Sequence, residues 1–225
     1  MGKFNPEKLE KIGEGAEKEV YLHPDDPNKV IAEWFPERAA KESPRQVKGR
    51  YYLTKIMHLL FPKNIPDIHL IYKNKRQVAV LERKEADSEH RELHEVILAL
   101  RKKQTDELSK KFWKKLSMHE RKIGADERFR DFIAEIGKFN VEIDSTKFNF
   151  GHDKDGNLLY LDNSFRPWYE SGTAQHKSIV RYNEDELIKA INALSDVDRE
   201  KASLYLKRLE ELRKEELDER KSKQK

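Results

Sequence analysis

The 225-residue chain contains no cysteine. Disulfides, thiolate metal sites and a cysteine nucleophile are thereby excluded. No apolar run approaches the roughly 18–20 residues that a membrane span needs, so no membrane partner is expected. The first residues, MGKFNPEKLEK, lack the apolar core of a secretory leader, and a cytoplasmic protein is the expectation. Neither sign of charge is in clear excess: 46 Lys and Arg face 42 Asp and Glu, for a formal net charge of +4. The two signs are interleaved, so nucleic acid is not an expected partner. Local basic clusters stand at Lys102-Lys103, at Lys110-Lys111 with Lys114-Lys115, and after Arg220. They read either as solvated helix faces or as a patch for a polyanion. Internal repeats and low-complexity tracts are also lacking.

What is abundant is charge, at 39% of residues against 36% apolar, the balance of a heavily solvated chain with long exposed helices. The length suits one large domain or two small lobes around a shared cleft. Residues 9–22 (LEKIGEGAEKEVYL) predict strand, tight glycine turn, strand. His23 to Asn28 is a turn punctuated by proline and aspartate. Residues 29–35 (KVIAEWF) complete an antiparallel meander. Ser43-Pro44 is a helix-opening pair, and Val47, Tyr51, Leu53, Ile56, Leu59 and Leu60 give that helix an apolar face. Two more strands are expected at 68–72 and 77–81.

From Ser88 the pattern turns helical. Three helices are expected: near 91–101, from 106 with Leu108, Phe112, Trp113 and Leu116 inward, and over 126–139. A hairpin follows, with arms 148–151 and 158–161 around an Asp-Gly turn. The last helices are expected at 183–194, opened by an Asn183/Glu186 capping pattern, and from 197 to about 219. The second carries Leu204, Leu206, Leu209 and Leu212, and then an acidic-basic tail expected to fray.

Two constellations carry chemistry. Gly13 and Gly15 form a G-x-G turn ahead of Val20, which reads as a plain hairpin turn or as a loop that lets phosphates approach the backbone. The second is Asp144, four intervening residues, Asn149, and Asp162 at the end of 158–161. A hairpin would set Asn149 beside Asp162, and two such oxygen donors suit Mg²⁺. Asp144 would then be available to orient or deprotonate a hydroxyl. The competing reading is an Asx-rich loop capping a hairpin.

Over residues 9–168 this order resembles the protein kinase superfamily, including its aminoglycoside phosphotransferase-like branch. The resemblance implies an α+β, two-lobed kinase-like fold. Its N-lobe, 1–84, would hold a five-stranded antiparallel sheet with one helix. Its reduced, mostly helical C-lobe, 85–225, would hold the catalytic hairpin near 140–165. It implies ATP and Mg²⁺ as nucleotide and metal, and a hydroxyl-bearing substrate, small molecule or protein. Gly13, Gly15, Val20 and Val30 would line the nucleotide site, with Glu82 to Lys84 at the hinge holding adenine. Asp144 matches the catalytic aspartate, and Asn149 and Asp162 match the metal ligands.

The chain departs from the pattern too. Ala32 occupies the place of the strand-three lysine. Lys18 takes the place of the third glycine, similar to the with-no-lysine kinases, and would bind the phosphates. The small-lobe helix offers Gln46 and Lys55 where a glutamate is usual, and Glu33 with Lys55 would make a reversed ion pair. Glu142 replaces the usual histidine, and Asn163-Ser164 replaces Phe-Gly. Three readings follow: an ATP-dependent phosphotransferase, a pseudokinase serving as a nucleotide- or partner-binding module, and a helical adaptor or nucleic-acid binder using the basic surface of 101–124. Phe165-Arg166-Pro167-Trp168-Tyr169 would grip a substrate, plug the cleft or pack in the core. His119, His152 and His176 share no ligand spacing and read as ordinary polar residues.

Overall fold

Short β-rich runs separated by turn residues build the first part of the chain. The computed structural model describes residues 9–14, 18–36, 44–73, 76–103, 105–162, 165–167 and 182–223. Strands β1 (Lys11–Glu14), β2 (Lys18–Leu22), β3 (Lys29–Trp34), β4 (Ile68–Lys73) and β5 (Arg76–Glu82) form one antiparallel sheet in the order β1-β2-β3-β5-β4. The β2–β3 turn is held by Asp26, whose side chain accepts from Asn28 N–H at 3.0 Å and whose carbonyl accepts from Lys29 N–H at 3.0 Å. The two-residue period of β3 sorts its side chains. Val30, Ala32 and Trp34 pack with Ile68, Ala79 and Leu81 on one face, and Ile31 packs with Tyr21 and Val78 on the other.

Helix α1 (Pro44–Leu60) crosses between β3 and β4. Ser43, expected to cap it, lies outside the described residues. Val47, Leu53, Ile56 and Met57 are fully buried, and Gly49, Arg50, Thr54 and Lys55 are buried with them. The single apolar stripe read from the sequence is thus too narrow. The helix packs against β4 and β9 (Phe165–Pro167) and also against the last helix, so polar side chains are enclosed as well.

The other helices are α2 (Ser88–Lys102), α3 (Asp106–Ala125), α4 (Glu127–Lys138), α5 (Glu184–Asn192) and α6 (Asp196–Lys223). Asp87, Thr105, Asp126 and Asn183 cap α2 to α5, each side chain accepting a first-turn backbone N–H. Between α4 and α5, β6 (Val141–Ile143) pairs with β9, and β7 (Phe150–His152) pairs with β8 (Leu158–Tyr160). Gly156, in the β7–β8 turn, has φ of +77°, a left-handed conformation that favours glycine. The largest buried cluster joins Leu53, Ile56, Met57 and Ile65 to Phe132, Ile136, Phe150, Tyr160, Leu187, Leu206 and Leu209. The fold is α+β.

Two expectations for the end of the chain are corrected. α6 stays helical to Lys223 rather than fraying after Leu212, because its last turns meet α1. Arg45 Nη2 stands 2.6 Å from Glu219, Arg45 Nε stands 3.8 Å from Glu215, and Glu216 is buried. Leu204, expected on the apolar face, is 53% exposed, and Ala202, Leu206 and Leu209 form the buried stripe. Among the described residues no helix is long and apolar enough to cross a membrane.

Candidate active site

Lys18, Val20 and Val30 share one face of the sheet, and Lys18 links that face to Asp162 at the end of the hairpin. Gly13 sits in β1 opposite Val20 of β2. A Cβ built on Gly13 would stand 3.6 Å from the His94 ring and 3.7 Å from Val20 Cβ, ordinary contact distances, so packing does not demand glycine there. Gly15 lies outside the described residues. Val20 and Val30 contribute to the apolar face shared with Ala32 and Leu81. Glu82 ends β5, and its carboxylate takes Lys84 Nζ at 2.8 Å. The backbone N–H groups of Glu82 and Arg83 donate to Asp67 and Asn28 carbonyls at 2.9 and 2.7 Å, anchoring this strand end on both sides.

On the helical side, β6 delivers the chain to Asp144, which is exposed. Its carboxylate accepts from Thr146 N–H at 3.0 Å, the Asx-turn geometry, and its carbonyl accepts from Asn149 Nδ2 at 3.4 Å. A single 3₁₀ turn, Lys147–Asn149, then leads into β7. Leu161 N–H donates to Asn149 carbonyl at 2.8 Å, so Asn149 lies alongside the residue that precedes Asp162. Tyr160 hydroxyl donates to Asp162 Oδ2 at 3.5 Å. Among the described residues no group of three or more His, Asp or Glu is placed to hold a metal ion.

Lys18 joins the two sides. Its Nζ donates to Asp162 carbonyl at 2.6 Å and lies 3.5 Å from Oδ1 of the same residue. The ammonium also stands 5.3 Å from the centroid of the Trp34 ring. Ala32, in register with Val20 and Ala79 and fully buried, offers no charge. The reversed pair of Glu33 with Lys55 is not formed. Lys55 Nζ turns instead to Asp67 at 2.5 Å, and Glu33 lies in β3 opposite Glu19. Burial alone would raise the Asp67 carboxyl, but the Lys55 hydrogen bond and charge with Ile68 N–H together hold it below its ordinary value.

Histidines brace the Asp144–Asn149 loop, a role that ligand spacing did not reveal. His90 Nε2 donates to Phe148 carbonyl at 3.0 Å, and His119 Nε2 donates to the carbonyls of Lys147 and Phe150 at 3.1 and 2.9 Å. The two rings meet edge-on at 5.4 Å. Burial pushes the His90 imidazole below its usual pKa. His152 donates to Asp126 at 2.6 Å. A signal for His119 exists in the sequence: it follows Leu116 by three residues and precedes Ile123 by four, on the buried stripe of α3. His176 and residues 168–169 lie outside the described residues. Phe165–Pro167 form strand β9 against β6.

The basic stretch of α3 is partly neutralised, Lys115 by Glu92 and Lys122 by Asp87 and Glu89. Trp113, expected inward, is 64% exposed. Set against known protein families and against curated proteins, the sequence matches none.

Proposed function

We propose that the protein is an ATP- and Mg²⁺-dependent phosphotransferase of two-lobed, kinase-like build, acting on a hydroxyl-bearing substrate. One observation carries the reading. The Lys18 ammonium, delivered by the strand after the glycine turn, stands 2.6 Å from the carbonyl of Asp162, and Asn149 is bonded through its backbone to the residue before Asp162. Three positions far apart in sequence therefore converge: a phosphate-seeking cation and two oxygen donors of the kind Mg²⁺ accepts. Such chemistry depends on positioning and on electrostatic stabilisation more than on covalent help from the protein.

In this reading the apolar face of Val20, Val30 and Leu81 receives adenine, with Glu82 and Lys84 at its edge. Lys18 leaves Asp162 for the phosphates when nucleotide enters. Asn149 and Asp162 would hold the metal, which would supply positive charge to the phosphate oxygens. Asp144, exposed at the start of its loop, accepts the acceptor proton. The acceptor oxygen bonds to the γ-phosphorus as the bond from that phosphorus to its bridging oxygen breaks, and ADP leaves.

A second reading, a nucleotide-binding module without turnover, is favoured by the buried Ala32 at the strand-three lysine position. Thermal melting with ATP, with and without Mg²⁺, tests the site. Wild type should gain melting temperature only when both are present. Lys18→Ala and Asp162→Asn should each lose most of that gain, and Asp144→Asn should keep it. No shift at millimolar nucleotide would remove both readings. A shift without ADP formation across hydroxyl-bearing acceptors would favour the second.

A further inference from the structure

We propose that the solvent-exposed face of α3 binds single-stranded nucleic acid, with Lys110, Lys114 and Arg121 on its phosphates and Trp113 stacked on a base. The inference is independent of the phosphotransferase reading. The small net charge of the whole chain conceals a local excess: residues 108–119 hold Lys110, Lys111, Lys114 and Lys115 and no carboxylate. Lys115 is taken by Glu92, and Lys122 by Asp87 and Glu89, so the seam between α2 and α3 uses two of the helix's cations. Lys110, Lys111, Lys114 and Arg121 are exposed and have no ion-pair partner among the described residues. Lys110, Lys114 and Arg121 follow the spacing of one row along a helix. That row lies on the opposite side of α3 from the buried His119 and Ile123.

Trp113 follows Lys110 by three residues, so its side chain flanks the row. It is 64% exposed, more than any other large apolar side chain among the described residues. Its ring centroid lies 5.1 Å from that of Phe112, with 60° between the planes, so the indole has a packed neighbour and still meets solvent. A sugar-phosphate chain lying along the row would meet Lys110 and Lys114 about 6 Å apart and Arg121 about 10 Å further on, at roughly 1.5 Å of rise per residue. An unstacked base beside that chain offers its π-face to the indole, and any base serves. A duplex keeps its bases stacked inside, which selects the single strand. A membrane surface fits less well, because an interfacial helix inserts a continuous apolar face. The apolar stripe of α3 is turned into the protein, and its exposed Trp113 and Met118 are five positions, hence about 140°, apart around the helix.

Fluorescence anisotropy tests this, with the full chain titrated into a labelled oligo(U) of about twelve nucleotides, within the span of one single-strand site. Wild type should bind at about 50 mM salt, and log K should fall against log salt with a slope of about −2, or roughly −0.7 for each of three phosphates. The double variant Lys110→Gln, Lys114→Gln should bind more weakly and flatten that slope by about 1.4. Trp113→Ala should lose about tenfold in affinity at an unchanged slope. Lys154→Gln with Lys221→Gln removes the same charge from exposed positions elsewhere and should bind as wild type does. No binding by wild type at low salt, full affinity in the Lys110/Lys114 or Trp113 variants, or an equal loss in the Lys154/Lys221 variant would overturn the proposal. So would displacement of the oligonucleotide by anionic phospholipid vesicles or by poly-glutamate as readily as by unlabelled oligo(U), which would assign the face to a membrane or to an acidic peptide. Should a variant melt below wild type, the Trp113 indole N–H resonance of wild type, assigned by its disappearance in Trp113→Phe, gives the second readout. It should move on saturation with oligo(U), and no movement would overturn the proposal.

Discussion

Single side chains in this molecule do several jobs at once, and Asp126 is the clearest case. It caps α4 by accepting from Arg128 N–H at 2.9 Å, pairs with the Arg128 guanidinium at 2.9 Å, and accepts from His152 Nε2 at 2.6 Å. Through His152 it ties the start of α4 to the end of β7. The Arg128 hydrogen bond, and then that from His152, outweigh burial and hold its carboxyl well below the usual carboxylate range. The sign follows from linkage. A carboxyl depressed in the folded state stabilises the protein fully above its unfolded pKa of about 3.9, and that contribution is lost as pH falls through the folded value. Asp126→Asn isolates the charge, because asparagine caps a helix about as well as aspartate. Urea unfolding at pH 7 should show a loss of about 1.5–3 kcal/mol, the usual worth of hydrogen bonds to a charged group. Below pH 4 the gap between variant and wild type should narrow. A gap that stays constant down to pH 2.5 would show that the Asp126 charge is not the source.

Elements were legible where local chemistry decides them and obscure where distant partners do. The strand-turn-strand order up to Glu82 follows from alternating β-formers and turn residues, and the Asn183 cap was visible three residues ahead of Glu186. β6 and β9 were not visible, because each is a three-residue strand whose partner among the described residues is the other, 22 or more positions away. The wide burial of α1 and the persistence of α6 have one cause: each covers the other, and neither pattern alone announces it. In the candidate site, the hairpin that sets Asn149 beside Leu161 could be read from spacing, whereas Lys18 was singled out only by the family resemblance. The bracing histidines could not be read, since a lone His on a helix carries no motif. The contact between α1 and α6 divides unequally. Leu209 is fully buried in the main cluster, while Glu219 pairs with Arg45 at 55% side-chain exposure. Leu209→Ala should cost about 2–5 kcal/mol through lost burial and a cavity. Glu219→Ala should cost less than about 1 kcal/mol, as exposed ion pairs do. Equilibrium unfolding of both variants checks the order, and a larger loss for Glu219→Ala would mean that the ion pair, not the apolar stripe, holds α6 in place.

At the scale of the whole molecule, the sheet has small clusters of its own, and α1 joins it to the main core built by the helices and the hairpin. The sheet's inner face is completed by α1, yet Leu53, Ile56, Met57 and Ile65 of that segment belong to the cluster built by α4, α5, α6 and the β7–β8 hairpin. Lys18 adds a polar link from β2 to Asp162. A fragment of residues 1–84 would keep all five strands and α1 but present those four side chains to water. Each loses about 1.5–3 kcal/mol of burial, and the sum is comparable to the roughly 5–15 kcal/mol that stabilises a typical whole domain. The fragment should therefore give poorly dispersed amide resonances and no cooperative melting. The full chain should unfold in one transition, because its main core draws together stretches from Leu53 to Leu209. A fragment that melts cooperatively, or a full chain that melts in two steps with only the second sensitive to Leu209→Ala, would show that the sheet is stable by itself. Nucleotide binding would then close two preformed bodies on each other. If the single transition holds, the phosphotransferase proposal requires Mg·ATP to raise its midpoint as a whole, because a ligand touching Val20, Lys18 and Asp162 at once would stabilise the sheet and the hairpin together.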